Sequence, residues 1–228
     1  MTKLVLSLQE NGDPVPVEVT IRDLVMAGWT GRDQEAVDTH IRELAELGVA
    51  PPKSTPIFYR VSASLLTRAE DIQVMGRDST GEVEFVLIQA GERLLVGLGS
   101  DHTDRKAETI GVTLSKQMCP KPIAAEVWEF GAVDPHWDEL VLRSYAVAND
   151  QRTVYQQGSV AKIRHPRDLM ERYGGAAGFL PGTAMFCGTL PVIGGFQWMD
   201  EFAIELEDPV LKRRIMHTYA IRALPVEG

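Results

Sequence analysis

The chain is short of cysteine, of basic residues and of long apolar runs, and each shortage argues against a class of protein. Its 228 residues include only Cys119 and Cys187, too few for a disulfide framework. Lysine and arginine number 23 against 32 acidic residues, and a net charge of −9 argues against a nucleic-acid partner. No apolar run approaches the roughly 20 residues of a membrane-spanning helix, and the first residues turn polar too soon for a signal peptide. We therefore expect a cytoplasmic protein with no nucleic-acid or membrane partner.

Strand patterns dominate what is present. Residues 3–21 are typical of a hairpin, with apolar alternation on both sides of the turn Asn11-Gly12-Asp13-Pro14. Two segments instead have helical character. Residues 33–48 start at a possible Asp33 N-cap and stop at Gly48, and residues 166–175 carry proline in the first turn and glycine after the last. Further strand-like runs occupy residues 57–63, 84–88, 93–99, 139–147, 183–190, 201–208 and 213–224. The pattern predicts a β-rich α+β domain of sandwich or roll type.

Three carboxylates belong to the same end of one predicted hairpin. In the strand from Glu82 to Ile88, alternation puts Glu82 and Glu84 on one face. Asp101 ends the neighbouring strand, so a hairpin would bring its carboxylate beside the two glutamates. Clustered anions repel one another unless protons or a cation neutralise them, and an all-oxygen set suits Mg²⁺ or Mn²⁺. A Glu-x-Glu pair is also common at a solvated strand edge, and that alternative stays open.

A histidine and a glutamate on the first predicted helix are candidates for acid–base chemistry. His40 and Glu43 lie one turn apart, and a carboxylate fixes the tautomer of a histidine base. The alternative is an incidental pair on a surface helix. The remaining histidines have no carboxylate neighbour in an obvious geometry: His102, His136, His165 and His217.

Three other residues are weaker candidates when taken alone. Lys116 fits an ordinary loop lysine. Thr189 lies among turn-forming glycines and prolines, where its hydroxyl and backbone N–H could face an anion. Cys187 fits a small buried apolar residue better than a nucleophile.

Taken in order, these segments resemble the fumarylacetoacetate hydrolase (FAH) superfamily over nearly the whole chain, and within it a bacterial branch that is a domain of unknown function. The segments that carry the resemblance are THIRELAELG, PPKSTPIFYR, STGEVEFVLI, SDHTDRKAE, SKQMCPKPI, and QQGSVAKI with FLPGTAMFCGTLPVIGG. The resemblance implies one FAH-like catalytic domain over residues 1–228. An N-terminal hairpin and a lid helix would fill residues 1–50, and a mixed β-sandwich roll with a few short helices residues 51–228. It also implies a homodimer.

The resemblance further implies roles for individual residues and a cofactor, Mg²⁺ or Mn²⁺. Arg60 stands where the family has lysine, Glu108 where it has glutamine, and Thr183 where it has aspartate. The implied sets are metal ligands Glu82, Glu84 and Asp101; catalytic residues His40, Glu43 and Lys116; and substrate-binding residues Arg60, Arg105, Glu108 and Thr189.

The implied activity is metal-dependent hydrolysis of a C–C bond in a 2-oxo or β-dicarbonyl acid, such as an acylpyruvate, through a metal-stabilised enolate. Decarboxylation or keto-enol tautomerisation of a 2-oxo diacid such as oxaloacetate uses the same metal and enolate, and the sequence hardly separates these reactions. A noncatalytic FAH-like binding protein is the rival from another class. A purely structural β-sandwich module is a third, and it would leave Glu82 and Glu84 without a cation.

Overall fold

The computed structural model of the protein describes residues 1–10, 13–46, 51–149 and 151–227, without the side chains of residue 40 and residues 43–46. The strands in these ranges are β1 (Thr2–Leu8), β2 (Val15–Ile21), β3 (Asp23–Gly28), β4 (Ile57–Val61), β5 (Leu66–Thr67), β6 (Asp71–Met75), β7 (Ser79–Thr80), β8 (Val83–Ala90), β9 (Arg93–Ser100), β10 (Thr103–Asp104), β11 (Lys121–Pro122), β12 (Glu126–Glu129), β13 (Val141–Ala148), β14 (Gln151–Ser159), β15 (Thr183–Phe186), β16 (Glu201–Asp208) and β17 (Arg213–Leu224). The helices are α1 (Gln34–Glu46), α2 (Arg105–Glu108), α3 (Val112–Met118), α4 (Phe130–Val133) and α5 (Pro166–Gly174). Short 3-10 turns occur at Ala63–Leu65, Asp134–Glu139, Val160–Lys162 and Gly175–Ala177.

Two mixed sheets contain most of these strands. The larger sheet has the order β2-β1-β12-β9-β8-β15-β3-β4, and the smaller has the order β14-β13-β16-β17-β6. Most neighbours are antiparallel, but β1 with β12, β3 with β15, and β6 with β17 are parallel. The predicted β-rich mixed roll is therefore confirmed.

The predicted N-terminal hairpin is present as β1 and β2, which pair antiparallel along their full lengths. Asn11 and Gly12 of the predicted turn lie outside the described residues. Because β1, β2 and β3 all belong to the larger sheet, the N-terminal strands are continuous with the strands that carry the carboxylates.

Strand β8 is apolar on both faces because both faces are covered. Phe85 packs between the two sheets, in a cluster that includes Phe202 of the smaller sheet. Val86 points the other way, into a second cluster with Leu6 of β1. Each such side chain stabilises the fold by about 1.5–3 kcal/mol. Alternation along β8 puts Glu84 on the face of Val86, so a carboxylate stands at the end of an apolar row.

A glycine makes room at the end of strand β9. Gly99 pairs with Glu84 across the hairpin. A Cβ at position 99 would lie 2.5 Å from Phe186 Cε1 and 2.9 Å from the Pro122 carbonyl oxygen, so a larger residue does not fit. The ring of Phe186 therefore packs directly on the backbone of β9, just before the chain reaches Asp101.

Both predicted helices are present. The side chain of Asp33 accepts a hydrogen bond from the Ala36 N–H at 3.1 Å and caps α1, as expected for this residue type. Gly48, the predicted stop, lies outside the described residues. Helix α5 has proline in its first turn and ends at Gly175, whose φ of 50° favours glycine. Within the described ranges, no helix is long and apolar enough to cross a membrane.

Candidate metal centre and cavity

The three predicted metal ligands meet at the end of the β8–β9 hairpin. The Asp101 N–H donates to the Glu82 carbonyl oxygen at 3.0 Å, which continues the pairing of the two strands beyond their ends. One carboxylate oxygen from each of Glu82, Glu84 and Asp101 lies within 4.8 Å of the others. Glu84 is 3% exposed and Asp101 1%, whereas Glu82 is half-buried. The structure thus brings together the set that alternation and the hairpin predicted.

Three cations surround the carboxylates. The ammonium group of Lys116 pairs with Asp101 and lies 3.5 Å from Glu82 Oε2. The ammonium group of Lys121 is completely buried and lies 2.7 Å from Asp101 Oδ1. The guanidinium of Arg105 lies 2.9 Å from Glu82 Oε1. Sequence reasoning missed Lys121, because a single lysine after Pro120 carries no motif of its own.

These charges determine the protonation of the cluster. Burial, and then the carboxylates of Asp101 and Glu82, raise the pKa of Glu84 well above its usual value. Burial alone would also raise the pKa of Asp101, but Lys116 and Lys121 outweigh it and hold that pKa below its usual value. Burial opposes the charge of Lys116, yet the carboxylates outweigh burial and raise the Lys116 pKa. The ammonium form of Lys116 is therefore favoured while the carboxylates around it carry their charge.

The cluster carries more negative than positive groups. Glu108 pairs with Arg105 at 2.9 Å and adds a fourth carboxylate, so four carboxylates face three cations. The excess falls on Glu84, the carboxylate with the raised pKa. Either a proton or a bound cation satisfies it. The donor set, oxygen atoms alone, fits a hard divalent cation such as Mg²⁺ or Mn²⁺.

A glycine fixes the orientation of Glu84. The N–H of Gly188 donates to Glu84 Oε2 at 2.7 Å. Gly188 has a φ of 96°, and a Cβ there would lie 1.8 Å from the hydroxyl oxygen of Thr30. Only glycine fits this conformation and this contact. The glycine-rich segment that follows β15 therefore contributes a backbone donor to the cluster.

Thr189 lies at the cavity, but its hydroxyl is already committed. It donates to the Val83 carbonyl oxygen at 2.7 Å and accepts from the Gln156 side-chain amide at 2.7 Å. Because its one hydroxyl proton goes to Val83, that hydroxyl cannot also donate to an anion. The structure gives Thr189 a contact with the strand of the carboxylates, between Glu82 and Glu84, which sequence reasoning did not foresee.

Glu82 and Glu84 line a cavity of about 1160 Å³, whereas Asp101 is buried and is not among the described residues that line it. Glu82, Glu84, Glu108 and Lys116 line its charged end, while Leu190 and its neighbours form an apolar wall. The first turn of α1 and the end of β3 complete the lining. At that point Trp29 has a φ of 57°, which is uncommon for a residue other than glycine and is typical of functional sites.

Arg60 and Arg105, the two arginines predicted to bind substrate, contact other protein groups instead. Arg60 forms an ion pair with Asp23, and it is Tyr59, the residue before it on β4, that lines the cavity. The reason is strand alternation, which sends consecutive side chains to opposite faces. Arg105 holds Glu82 and Glu108 and stacks against Phe196, with 4.3 Å between its Cζ and the ring centroid. The structure therefore places Arg105 beside the carboxylates and does not bring Arg60 to the cavity.

The prediction that the other histidines lack a carboxylate neighbour is wrong for two of them. His136 Nε2 lies 3.0 Å from Asp208 Oδ1, and His165 Nε2 lies 3.5 Å from Asp134 Oδ1. The His136 pair joins residues far apart in sequence, so spacing could not reveal it. Neither histidine is among the described residues that line the cavity.

The side chains of His40 and Glu43 lie outside the described part of the structure. Their backbone belongs to α1, whose first turn lines the cavity through Asp33, Ala36 and Val37. The predicted acid–base pair stays a prediction.

Comparison with family models identifies a family that covers most of the chain. The model of DUF2848, a protein of unknown function, matches residues 27–219. The chain belongs to the DUF2848 family. No curated protein matches it significantly in sequence.

Solved structures show the same fold as this DUF2848 protein. A candidate fumarylacetoacetate isomerase/hydrolase from Oleispira antarctica has a TM-score of 0.67 and 20% identity, over 97% of this chain and 100% of that one. The yeast protein ynq8, of the fumarylacetoacetate hydrolase family, has a TM-score of 0.62 and 18% identity over 91% and 95%. A 2-keto-3-deoxy-D-arabinonate dehydratase complexed with magnesium and 2,5-dioxopentanoate has a TM-score of 0.64 and 13% identity over 95% and 79%. The predicted FAH-like fold is confirmed, and enzymes occur among the neighbours that share it.

Proposed function

We propose that this DUF2848 protein is a metal-dependent hydrolase that cleaves a C–C bond in a 2-oxo or β-dicarbonyl acid of the acylpyruvate type. One observation carries the proposal: Glu82, Glu84 and Asp101 converge within 4.8 Å, and Glu82 and Glu84 line the charged end of a large cavity. Four carboxylates against three cations make this end of the cavity suited to a divalent cation. A fold shared with a magnesium-complexed dehydratase supports the same conclusion.

The three converging carboxylates would hold the ion, each through one oxygen. When bound, Mg²⁺ or Mn²⁺ supplies a Lewis acid for a 2-oxo acid, which makes an enolate tolerable as the leaving group. The chain prepares two of the ligands in advance. Gly188 orients Glu84 through its N–H, and Lys121 holds Asp101 from the buried side.

Other residues at and beside the cavity would stabilise charge on the substrate or hold the carboxylates in place. Lys116, in its ammonium form, would stabilise negative charge that develops on the substrate. Arg105 holds Glu82 and Glu108 in place rather than presenting a free guanidinium. A ligand packed against the apolar wall at Leu190 would displace water from that side, which would strengthen these electrostatic contacts.

His40 is the proposed general base, with Glu43 as its orienter. Position 40 follows Ala36 and Val37 on α1 by four and three residues, so it belongs to the helical face whose first turn lines the cavity. In the proposed reaction His40 takes a proton from water and the hydroxide adds to the carbonyl carbon remote from the carboxylate. The C–C bond then breaks, its electron pair passes to the enolate, and the proton that His40 took from water goes to the enolate carbon.

A second candidate reaction is decarboxylation or tautomerisation of a 2-oxo diacid such as oxaloacetate. It would use the same carboxylates and Lys116 but needs no water-activating base. The observation in its favour is the breadth of chemistry on this fold, since one neighbour is a dehydratase.

The experiment is a turnover screen of acylpyruvates and oxaloacetate with Mg²⁺, with Mn²⁺ and with a chelator. Hydrolysis yields pyruvate and a second acid, decarboxylation yields carbon dioxide, and a noncatalytic protein yields neither. Metal affinity is measured in parallel by calorimetry on the wild type and on Glu84→Gln. The matched control is Glu92→Gln, an exposed glutamate in the turn at the opposite end of the β8–β9 hairpin.

We expect Glu84→Gln to abolish metal binding and turnover and Glu92→Gln to change neither. If Glu84→Gln binds the metal with wild-type affinity, the proposed metal centre is wrong. The same conclusion follows if the wild type turns over its substrate equally well in the presence of the chelator.

A further inference from the structure

One cation on the cavity wall, Lys162, has no partner among the residues that the structure describes. Among the described residues that line the cavity, the positive charges belong to Arg32, Lys116 and Lys162. Lys116 is paired with the carboxylate cluster, and Arg32 forms two hydrogen bonds of 2.8 Å to the carboxylate of Asp138. The ammonium group of Lys162 forms neither an ion pair nor a hydrogen bond with any residue that the structure describes. Lys162 is therefore the lining cation whose charge is available to a ligand.

The position of Lys162 is fixed by its backbone and its aliphatic stem. Its carbonyl oxygen accepts a hydrogen bond from the Arg32 N–H at 2.9 Å, which ties it to the cavity-lining segment after β3. A Cβ at Gly158 would lie 3.8 Å from Lys162 Cδ and 3.3 Å from Leu190 Cδ1. The stem therefore packs over a glycine and beside a leucine of the apolar wall, with the ammonium group beyond them.

Lys162 also stands apart from the carboxylate cluster. Gln156, two residues before Gly158 on β14, accepts a hydrogen bond from the Val83 N–H, next to Glu84. Two residues of strand span roughly 7 Å, so the residue under the Lys162 stem and the residue whose side chain reaches Val83 lie that far apart on β14. A ligand that reaches from the cluster to Lys162 must be an extended molecule.

We propose that Lys162 binds an anionic group at the far end of the ligand, so that the protein selects 2-oxo acids that carry a second carboxylate. The inference rests on the proposed function for the near end of the ligand. Lys162 is an exposed residue of the cavity lining, so its ammonium group attracts a carboxylate through a partly solvated ion pair whose strength falls as salt rises. A ligand with a methyl group in place of that carboxylate leaves the ammonium group without a partner, so the protein should bind that ligand more weakly.

The test compares 2-oxoglutarate with 2-oxovalerate, which have carbon chains of equal length and differ in the terminal carboxylate. Calorimetry on the full chain with Mg²⁺ measures both affinities. Lys162→Met removes the charge and keeps the stem, Lys162→Arg keeps the charge, and Lys3→Met is a control at an exposed lysine of β1. We expect Lys162→Met to weaken 2-oxoglutarate binding by about two- to fivefold, with 2-oxovalerate binding and metal affinity unchanged. Lys162→Arg and Lys3→Met should retain wild-type preference.

Three outcomes would overturn the inference: an equal loss for both acids in Lys162→Met, no loss for either, or a wild type that binds the two acids equally well. In the first two cases the protein still binds metal and 2-oxo acids, so the proposed function survives. A wild type that binds neither acid overturns the inference and the proposed function together.

Discussion

Gln156 takes the place of a missing strand partner beside the carboxylate cluster, and its replacement should be costly. Strand β15 pairs with β8 only farther along, from Val86 onward. At Val83 the side chain of Gln156 substitutes for that strand, because its Oε1 accepts from the Val83 N–H at 3.0 Å. The same amide accepts from the Ser144 hydroxyl and donates to the Leu190 carbonyl oxygen at 2.6 Å. One buried side chain thus joins the smaller sheet, β8 and the loop after β15.

The substitution Gln156→Leu keeps the approximate volume and removes every hydrogen bond of the amide. It leaves the Val83 N–H and the Leu190 carbonyl without these partners in a buried site, at a cost of about 1–3 kcal/mol each. The expected loss in the free energy of unfolding is therefore about 4 kcal/mol. For a chain of this size, 1 kcal/mol corresponds to about 2–4 °C in Tm, so Tm should fall by about 10 °C.

Urea unfolding followed by circular dichroism measures this loss. The matched control is Gln157→Leu, since Gln157 is the next residue of β14 and is exposed; it should change stability by less than about 0.5 kcal/mol. A Gln156→Leu protein that unfolds within about 1 kcal/mol of wild type would refute the reasoning. So would equal losses for the two variants.

Three further predictions follow from the charges. Burial and nearby cations hold the His102 pKa at about 3. As pH falls below 6.5, the unfolded chain therefore takes up a proton at His102 and the folded chain does not. The free energy of unfolding should fall by about 1.4 kcal/mol per pH unit from 6.5 towards 5. Urea titrations at several pH values should find this slope reduced in His102→Asn; an identical slope would contradict it. Lys121→Met should lower stability by about 3 kcal/mol by breaking a buried ion pair, whereas Lys3→Met should have little effect, and similar denaturation midpoints would count against this. Arg105→Gln should change the metal affinity, because Arg105 holds Glu82, whereas Arg60→Gln should leave that affinity unchanged. If calorimetry finds a change in metal affinity for Arg60→Gln and none for Arg105→Gln, the roles given to these two arginines are wrong.

Alternation and turn residues were enough to predict much of the fold. They predicted the N-terminal hairpin, the β8–β9 hairpin and both helices, with Asp33 at the start of α1 and a glycine at the end of α5. Strand β14 was missed because its sequence, QRTVYQQGS, has few apolar residues and its first half is exposed. It forms through pairing with β13 rather than through an apolar pattern of its own. Strand β6 was also missed. Its apolar residues alternate clearly, but it is short, and it pairs in parallel with β17, which is distant in sequence.

The candidate site was predictable in its acidic half and not in its basic half. Glu82 and Glu84 share a strand and Asp101 closes the same hairpin, so local geometry suffices for them. Lys121 and Gln156 reach the site from other elements, and no local spacing signals that contact.

The position of the charges bears on the rival interpretation as a structural module. A buried ion cluster is weak evidence for stability, because apolar residues of similar volume often pack as well or better. Strand β8 has such residues along most of its length, yet near its first residue it carries Glu84, a buried carboxyl group with a raised pKa and no ion pair among the described residues. The cavity opens at this end and not at the apolar end. A module selected for packing alone gives no reason for an unbalanced buried carboxylate there, whereas a site that binds a divalent cation and an anionic ligand requires one.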